Sequence, residues 1–280
     1  MQGRLGPEGP VALISLPCPV LAVTARILPG PGLSLHGSGQ RLATAEQARR
    51  LRAQLGGGAA GRRGWIGDGP FMPTNMPRHA PHALRGRIIL RADMPAGGGA
   101  GGSTAALVAL ALLAGWRGAP QALASACLAV EGATDPLMFA RPERMLWASR
   151  RAKTLATLPE LPPFQVVGGF LGPPLRTRPE DEAFPDISDL IPAWAAAAGD
   201  LPALARLAAI SAGRTLAMRG GDAAMMQALA RQTGALGWLI AHTGAARGLI
   251  FAPGCAPPDT AARLRAAGLR GILSFIAGGG

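Results

Sequence analysis

Tyrosine is absent from this chain, and its other aromatics are seven phenylalanines and five tryptophans in 280 residues. A surface that stacks unpaired bases needs aromatic faces, so this composition argues against a nucleic-acid partner. Lysine is nearly missing too: Lys153 is the one lysine, and arginine supplies the other basic residues. With 40 glycines, 26 prolines and abundant alanine, this reads as the codon bias of a GC-rich genome, and the net charge of +12 is discounted accordingly. The arginines are scattered, with short clusters only at Arg49-Arg50-Arg52, Arg62-Arg63 and Arg150-Arg151-Lys153. Attraction of small anions is the more economical use of such a charge.

Cysteine is scarce and unpatterned. Cys18, Cys127 and Cys255 share no metal-ligand or redox spacing, and their odd number gives no disulfide framework, so a reducing cytoplasm is expected. Cys127 lies in an apolar helical run and reads as core. His79 and His82 resemble a metal pair, but they flank Pro77 and Pro81 without a third ligand and read as a solvated loop. No signal peptide opens the chain. The longest apolar helix, about Thr104 to Ala114, falls short of the ~20 residues needed to cross a bilayer. A soluble protein without a membrane partner is the expectation. The 49% hydrophobic content and the length allow one large or two modest folded domains.

What the chain does have is glycine in one dense run. The apolar strand Arg87-Ile88-Ile89-Leu90-Arg91 leads through Met94-Pro95-Ala96 into Gly97, Gly98, Gly99, Gly101 and Gly102, then Ser103-Thr104 and an alanine- and leucine-rich helix. Glycines let backbone N–H groups turn inward, and the following helix N-terminus adds partial positive charge; together they form a phosphate cradle. The Ser103 hydroxyl is placed to cap that helix or to reach a metal held by the phosphate. The abrupt switch from glycine to strong helix former argues against a plain linker. No lysine is present to make a Walker A loop. No acidic residue about 20 residues on supports a dinucleotide fingerprint.

Two further segments carry polar groups in suggestive places. Val130-Glu131-Gly132-Ala133-Thr134-Asp135-Pro136 ends a second helix with two carboxylates four positions apart. Such oxygens suit a hard metal ion or a hydroxyl acceptor. The bland alternative makes Gly132 a helix stop, Asp135 a turn residue and Glu131 a solvent-facing group. His242-Thr243-Gly244 joins two apolar runs, either as a plain hairpin turn or as a set of hydrogen-bonding groups for a substrate.

Along the chain, Val11–Leu16 and Val20–Leu28 read as strands broken at Pro17-Cys18-Pro19, with a short edge at Leu33–His36. Thr44–Leu55 reads as a helix with Thr44 and Gln47 forming a capping box. Gly56–Arg85 reads as irregular. Helices follow near 103–115 and 119–131. Beyond the cluster Pro159, Pro162 and Pro163 come a strand at Phe164–Phe170 and helices at about Ile187–Ala198, Leu201–Ala212 and Gly221–Gln232. Strands at Leu236–Ala241 and Arg247–Ala252, a helix at Pro258–Ala267 and a strand at Arg270–Ile276 close the chain. That order suits a split βαβ sandwich of ferredoxin type. Two domains are expected, at 1–155 and 156–280.

The glycine run resembles the second motif of the GHMP small-molecule kinases, Pro-x-x-x-Gly-Leu-Gly-Ser-Ser-Ala. Aligned on Pro95, it matches Gly99, Ala100, Gly101, Gly102 and Ser103, with Ala100 in place of leucine and Gly102 in place of the first serine. Within that superfamily the chain looks most like the L-threonine kinases of cobalamin synthesis and propanediol utilisation. Their Glu-Pro-Thr-Asp-Ser segment corresponds to Glu131 and Thr134-Asp135 with one extra residue. Their Ser-Ser-Thr-Ala-Asp corresponds to Gly102-Ser103-Thr104-Ala105-Ala106, which lacks the aspartate. The segment Gly234–Ala246 resembles the C-terminal motif, and Met1-Gln2-Gly3 matches only the tail of the opening Gly-Glu-hydrophobic-x-Gln-Gly segment.

The resemblance implies an α+β fold in two domains, a ribosomal-protein-S5-like N-terminal one and a ferredoxin-like C-terminal one. It implies ATP and Mg²⁺ as cofactors, and a small-molecule alcohol such as L-threonine as acceptor. Pro95, Gly97, Gly98, Gly99, Gly101, Gly102, Ser103 and Thr104 would hold the nucleotide. Ser103 and Glu131 would ligate the metal, Asp135 and Glu131 would serve catalysis, and His242, Thr243 and Gly244 would face the substrate. A monomer or homodimer is expected. The alternative is a GHMP-fold protein that binds a nucleotide or small ligand as a regulator, without turnover; the missing aspartate favours it.

Overall fold

The computed structural model describes residues 1–37, 40–56, 84, 86–173, 180–181, 183–241 and 245–279. His79, His82 and most of the glycine- and proline-rich stretch 57–85 lie outside them, as do His242, Thr243 and Gly244.

Three sheets organise the described residues. The first is antiparallel and runs in the order β1 (Gln2–Arg4), β2 (Val11–Leu13), β6 (Met145–Ala148), β7 (Lys153–Thr157). The second takes β3 (Val23–Leu28), β5 (Gly86–Ala92) and β4 (Leu33–Gly37), with β5 central, antiparallel to β3 and parallel to β4. A parallel pair needs a crossover, and α1 (Ala45–Gly56) lies within it. The capping box at its start forms as expected: Gln47 N–H donates to Thr44 Oγ1 at 3.1 Å and Thr44 N–H donates to Gln47 Oε1 at 2.9 Å.

Beneath the second sheet pack α1, α2 (Gly102–Leu113) and α3 (Pro120–Glu131). Their core includes Leu51, Ile88, Leu90, Leu107, Leu110 and Cys127, each at most 1% exposed. Alternation along β5 explains this layer. Ile88 and Leu90 point to the helices, while Arg87 and Arg91 are exposed on the other face.

The third sheet has the antiparallel order β11 (Arg270–Ala277), β8 (Phe164–Phe170), β10 (Ala246–Phe251), β9 (Gly237–Ile240). Helices α4 (Leu190–Ala196), α5 (Leu201–Met218) and α6 (Ala224–Thr233) lie between β8 and β9, and α7 (Thr260–Ala266) between β10 and β11. Numbered within this unit, the strand order is 4-1-3-2, the split βαβ arrangement expected from the sequence. The β8 limits match the expected ones. Helix α5 runs six residues past its expected end, because Ser211, Ala212, Thr215 and Leu216 continue its buried face.

Three strands, β1, β6 and β7, do not follow from the sequence pattern, and β2 is shorter than expected. β1 has three residues and β6 four, too few to show a period of two. Tertiary pairing makes them: Leu13 lies opposite Trp147, and Leu146 opposite Ala156. One cluster, including Ala12, Leu146, Phe164, Val166, Trp194 and Ile250, joins the first and third sheets.

Candidate functional site

The glycine run lies between β5 and α2. Gly97, Gly99 and Gly101 have φ of 78°, 81° and 71°, while Gly98, Ala100 and Gly102 do not share that region. Alternation of this kind turns successive amides toward one concavity. Ala100 is tolerated because its own φ is not positive. Gly101 must stay glycine on two grounds: its left-handed backbone, and a Cβ there would lie 3.3 Å from Asp135 Oδ2 and 3.2 Å from Leu137.

Both ends of the loop are held. The amide of Gln40 spans Pro95, donating from Nε2 to Met94 O at 2.7 Å and accepting at Oε1 from Ala96 N–H. On the other side Ala246 N–H, at the start of β10, donates to Gly98 O at 3.0 Å. A Cβ on Gly98 would meet Phe170 of β8 at 3.0 Å. The loop is thus seated against the third sheet. Sequence reasoning missed Gln40, and nothing local marks it, since its partners lie 54 and 56 residues away.

Helix α2 starts at Gly102 with Gly101 as N-cap and no side-chain cap. Of the two roles considered for the Ser103 hydroxyl, capping is therefore not the one adopted. It donates instead to Glu131 Oε1 at the end of α3. Thr104, 3% exposed, donates to Glu131 Oε2 at 3.3 Å and accepts the Asp135 N–H at 3.3 Å. Gly132 ends α3 in the left-handed region at φ 75°, as its position suggested. The carboxylate before it is half-buried and bonded, so the solvent-facing alternative for Glu131 does not hold.

Asp135 sits on a fixed segment. Trp147, fully buried, donates from Nε1 to Thr134 O at 2.7 Å, and Thr134 N–H donates to Ser149 O at 2.9 Å. Burial raises both carboxyl groups. Glu131 is pushed up to about 7, chiefly by desolvation, with the Asp135 charge adding and the Ser103 and Thr104 hydrogen bonds opposing. Asp135 is pushed up to about 6 by desolvation.

Ser103, Thr104, Glu131 and Asp135 therefore meet beside the glycine loop, from two segments about 30 residues apart. The Ser103 hydroxyl and the Glu131 carboxylate are hard oxygen donors, the set a magnesium ion takes. The expected nucleotide residues Pro95, Gly97, Gly98, Gly99, Gly101 and Gly102 line the same loop. Ala106 is fully buried in the core beneath the second sheet. Among the described residues no group of three or more His, Cys, Asp or Glu forms a metal cluster, and no helix is long and apolar enough to cross a membrane.

No protein-family model matches the chain, and no curated protein matches it in sequence. Solved structures do match its fold. Lactococcus lactis galactokinase complexed with galactose is 11% identical, with a TM-score of 0.57 over 99% of this chain and 91% of that one. L. major mevalonate kinase in complex with R-mevalonate is 15% identical, with a TM-score of 0.55 over 96% and 89%. Homoserine kinase from Cytophaga hutchinsonii is 15% identical, with a TM-score of 0.50 over 96% and 87%. The chain has the GHMP kinase fold along nearly its full length.

Proposed function

We propose that this chain is an ATP-dependent kinase of the GHMP type, transferring phosphate to the hydroxyl of a small molecule, with L-threonine or a related amino alcohol as acceptor. The observation that carries this reading is the convergence of Ser103, Glu131 and Asp135 on the glycine loop. Phosphoryl transfer asks little covalent work of a protein, so positioning and charge stabilisation are the main requirements. The amides of Gly99–Gly102 and the start of α2 bind and orient the phosphates; the Gly98 N–H is taken by Pro95 O at 2.9 Å. Ser103 and Glu131 hold Mg²⁺, which when bound neutralises charge on the phosphate oxygens. Asp135, largely ionised above pH 6, accepts the proton of the acceptor hydroxyl. His242, Thr243 and Gly244 are assigned to the acceptor side, on the resemblance of their segment to the C-terminal motif. The two-domain division at 155 and a cytoplasmic location belong to the same proposal.

The test is ADP release from Mg-ATP with L-threonine, L-serine and L-homoserine, with phosphorus NMR of the products. A phosphate ester of one of these is the expected product. ATP binding without ADP release from any alcohol would favour the regulatory alternative. Failure to bind ATP would overturn both.

A further inference from the structure

Outside the phosphate loop, one cavity combines fixed arginines with open space. It measures about 150 Å³ and is lined by Arg4, Glu8, Gly9, Pro10, Val11, Arg150 and Arg151, at the β1–β2 turn and the tip of the β6–β7 hairpin. We propose that it is a binding site for a small oxyanion, a carboxylate- or phosphate-bearing molecule.

Two of its arginines are set in place. Arg4 donates from Nη1 to Gly9 O at 3.2 Å. Arg150 donates to Asp181 O and lies 5.3 Å from the centre of the Phe184 ring, which Arg219 shares from 5.9 Å. A guanidinium has five N–H donors, and the Arg150 hydrogen bond to Asp181 uses one of them. Arg151 is exposed, and among the described residues its guanidinium has no partner. Glu8, on the exposed rim, is the one acidic lining residue.

The hairpin tip that presents Arg150 and Arg151 is closed by its own turn bond and held by two other segments. Thr134 N–H binds Ser149 O at 2.9 Å, Arg151 N–H binds Ala148 O at 3.0 Å, and Gln121 Nε2 binds Ala152 O at 2.6 Å. Ala152 is buried with φ of 45°, the one described non-glycine residue with positive φ. Such a conformation persists only where surroundings enforce it. The arginines are therefore carried on a rigid turn.

Arg4 also shares a sheet with the strand that seats the proposed phosphotransfer site. Arg4 lies opposite Val11, and Leu13 opposite Trp147. Cross-strand partners and residues two apart share a face. That face is the one on which Trp147 holds Thr134, next to Asp135. The anion has two possible sources: the acid group of the acceptor, which rests on the kinase reading, or a separate small anion, which does not.

The experiment is calorimetric titration of inorganic phosphate into the full chain, with Arg151→Gln and Glu8→Gln beside the wild type. Neither residue touches the glycine loop, so phosphate bound there does not respond to them. Arg151→Gln is expected to weaken binding about five- to tenfold, as loss of one partly solvated charge-assisted hydrogen bond implies. Glu8→Gln is expected to tighten it about two- to fivefold by removing a repelling charge. No phosphate binding by the wild type, or binding unchanged in both variants, overturns the site. L-threonine displacing phosphate, with Arg151→Gln raising the acceptor KM at constant kcat, identifies the acceptor as source. Phosphate affinity lost while acceptor kinetics hold identifies a separate anion. Should no acceptor be phosphorylated, the titration still reads the site without the kinase assay.

Discussion

Thr104 and Asp135, 31 residues apart, are joined by a hydrogen bond of 3.3 Å from the Asp135 N–H to the Thr104 hydroxyl, which itself donates to Glu131. One buried side chain thus sets the spacing between the two carboxylates of the site. Thr104→Val keeps the volume and removes both bonds, leaving the part-buried Asp135 N–H unpaired. A stability loss of about 1–3 kcal/mol is expected, with a fall in kcat. Thr104→Ser keeps the hydroxyl and should retain most of both, which thermal melts and turnover of the two variants will check.

Glu131 carries a proton in the fold at pH values where the unfolded chain has lost it, because its folded pKa of about 7 exceeds the ordinary 4.5. Its burial is a cost that grows as pH rises from about 4.5 to 7 and stays constant above. Glu131→Gln removes that cost. Without Mg²⁺ the variant should be more stable than wild type at pH 8 by about 1–2 kcal/mol, after allowance for partial solvation. It should show no such gain at pH 4, and it should lose turnover. An equal difference in melting temperature at both pH values would place the proton elsewhere.

Asp135 as proton acceptor must be ionised, and its pKa is about 6. Turnover should rise with pH through about 6. Asp135→Asn should lower kcat by about 10²–10⁴-fold, the range for loss of a general base, with ATP affinity retained. A variant that keeps the acid limb of the pH profile removes Asp135 from that role.

Gln40 grips the loop on both sides of Pro95 through its amide. Gln40→Leu frees the loop entrance, and the KM for ATP should rise about tenfold with a smaller change in kcat, as for loss of about 1–2 kcal/mol of positioning. Gln40→Glu keeps the acceptor for Ala96 N–H but not the donor for Met94 O, and should fall between. Steady-state kinetics at saturating acceptor will separate the two parameters.

Gly101→Ala adds a left-handed strain of about 1–2 kcal/mol and a methyl 3.3 Å from the Asp135 carboxylate. Gly220 has a similar φ of 69° with nothing within 4 Å of a Cβ. Gly220→Ala should therefore match Gly101→Ala in stability loss, to within about 1 kcal/mol. It should leave turnover intact, while Gly101→Ala lowers it. Equal activity in the two variants would mean that the approach to Asp135 has no consequence.

Much of this was legible from residues alone where the signal is local. The glycine density before Ser103-Thr104 marked the loop, since only glycine takes positive φ at Gly97, Gly99 and Gly101 without strain. Thr44 and Gln47 marked the start of α1. The run Phe164–Phe170 and the order of strands and helices after it were readable as a split βαβ unit, because turn residues such as Gly254 and Gly268 and the apolar runs between them mark each element. The hydrogen bonds of Ser103 and Thr104 to Glu131 were not readable, nor was the seat of Asp135 on Trp147, because each joins separate segments.

The chain by itself determined its chemistry-bearing parts: a phosphate-shaped loop, two carboxylates four positions apart after a helix, and a basic balance carried by arginine. Backbone torsion and burial period are local properties, so sequence suffices for them. The tertiary structure alone decided what those parts do to one another. Pairing of the three- and four-residue strands β1 and β6 on either side of β2 brought Arg4 and Arg150 to one cavity. Desolvation raised the pKa of Glu131 and Asp135, and an amide from residue 40 clamped a loop more than fifty residues on. Those effects depend on which surfaces exclude water and which groups are left facing each other, and neither is set until the sheets have closed on the helices.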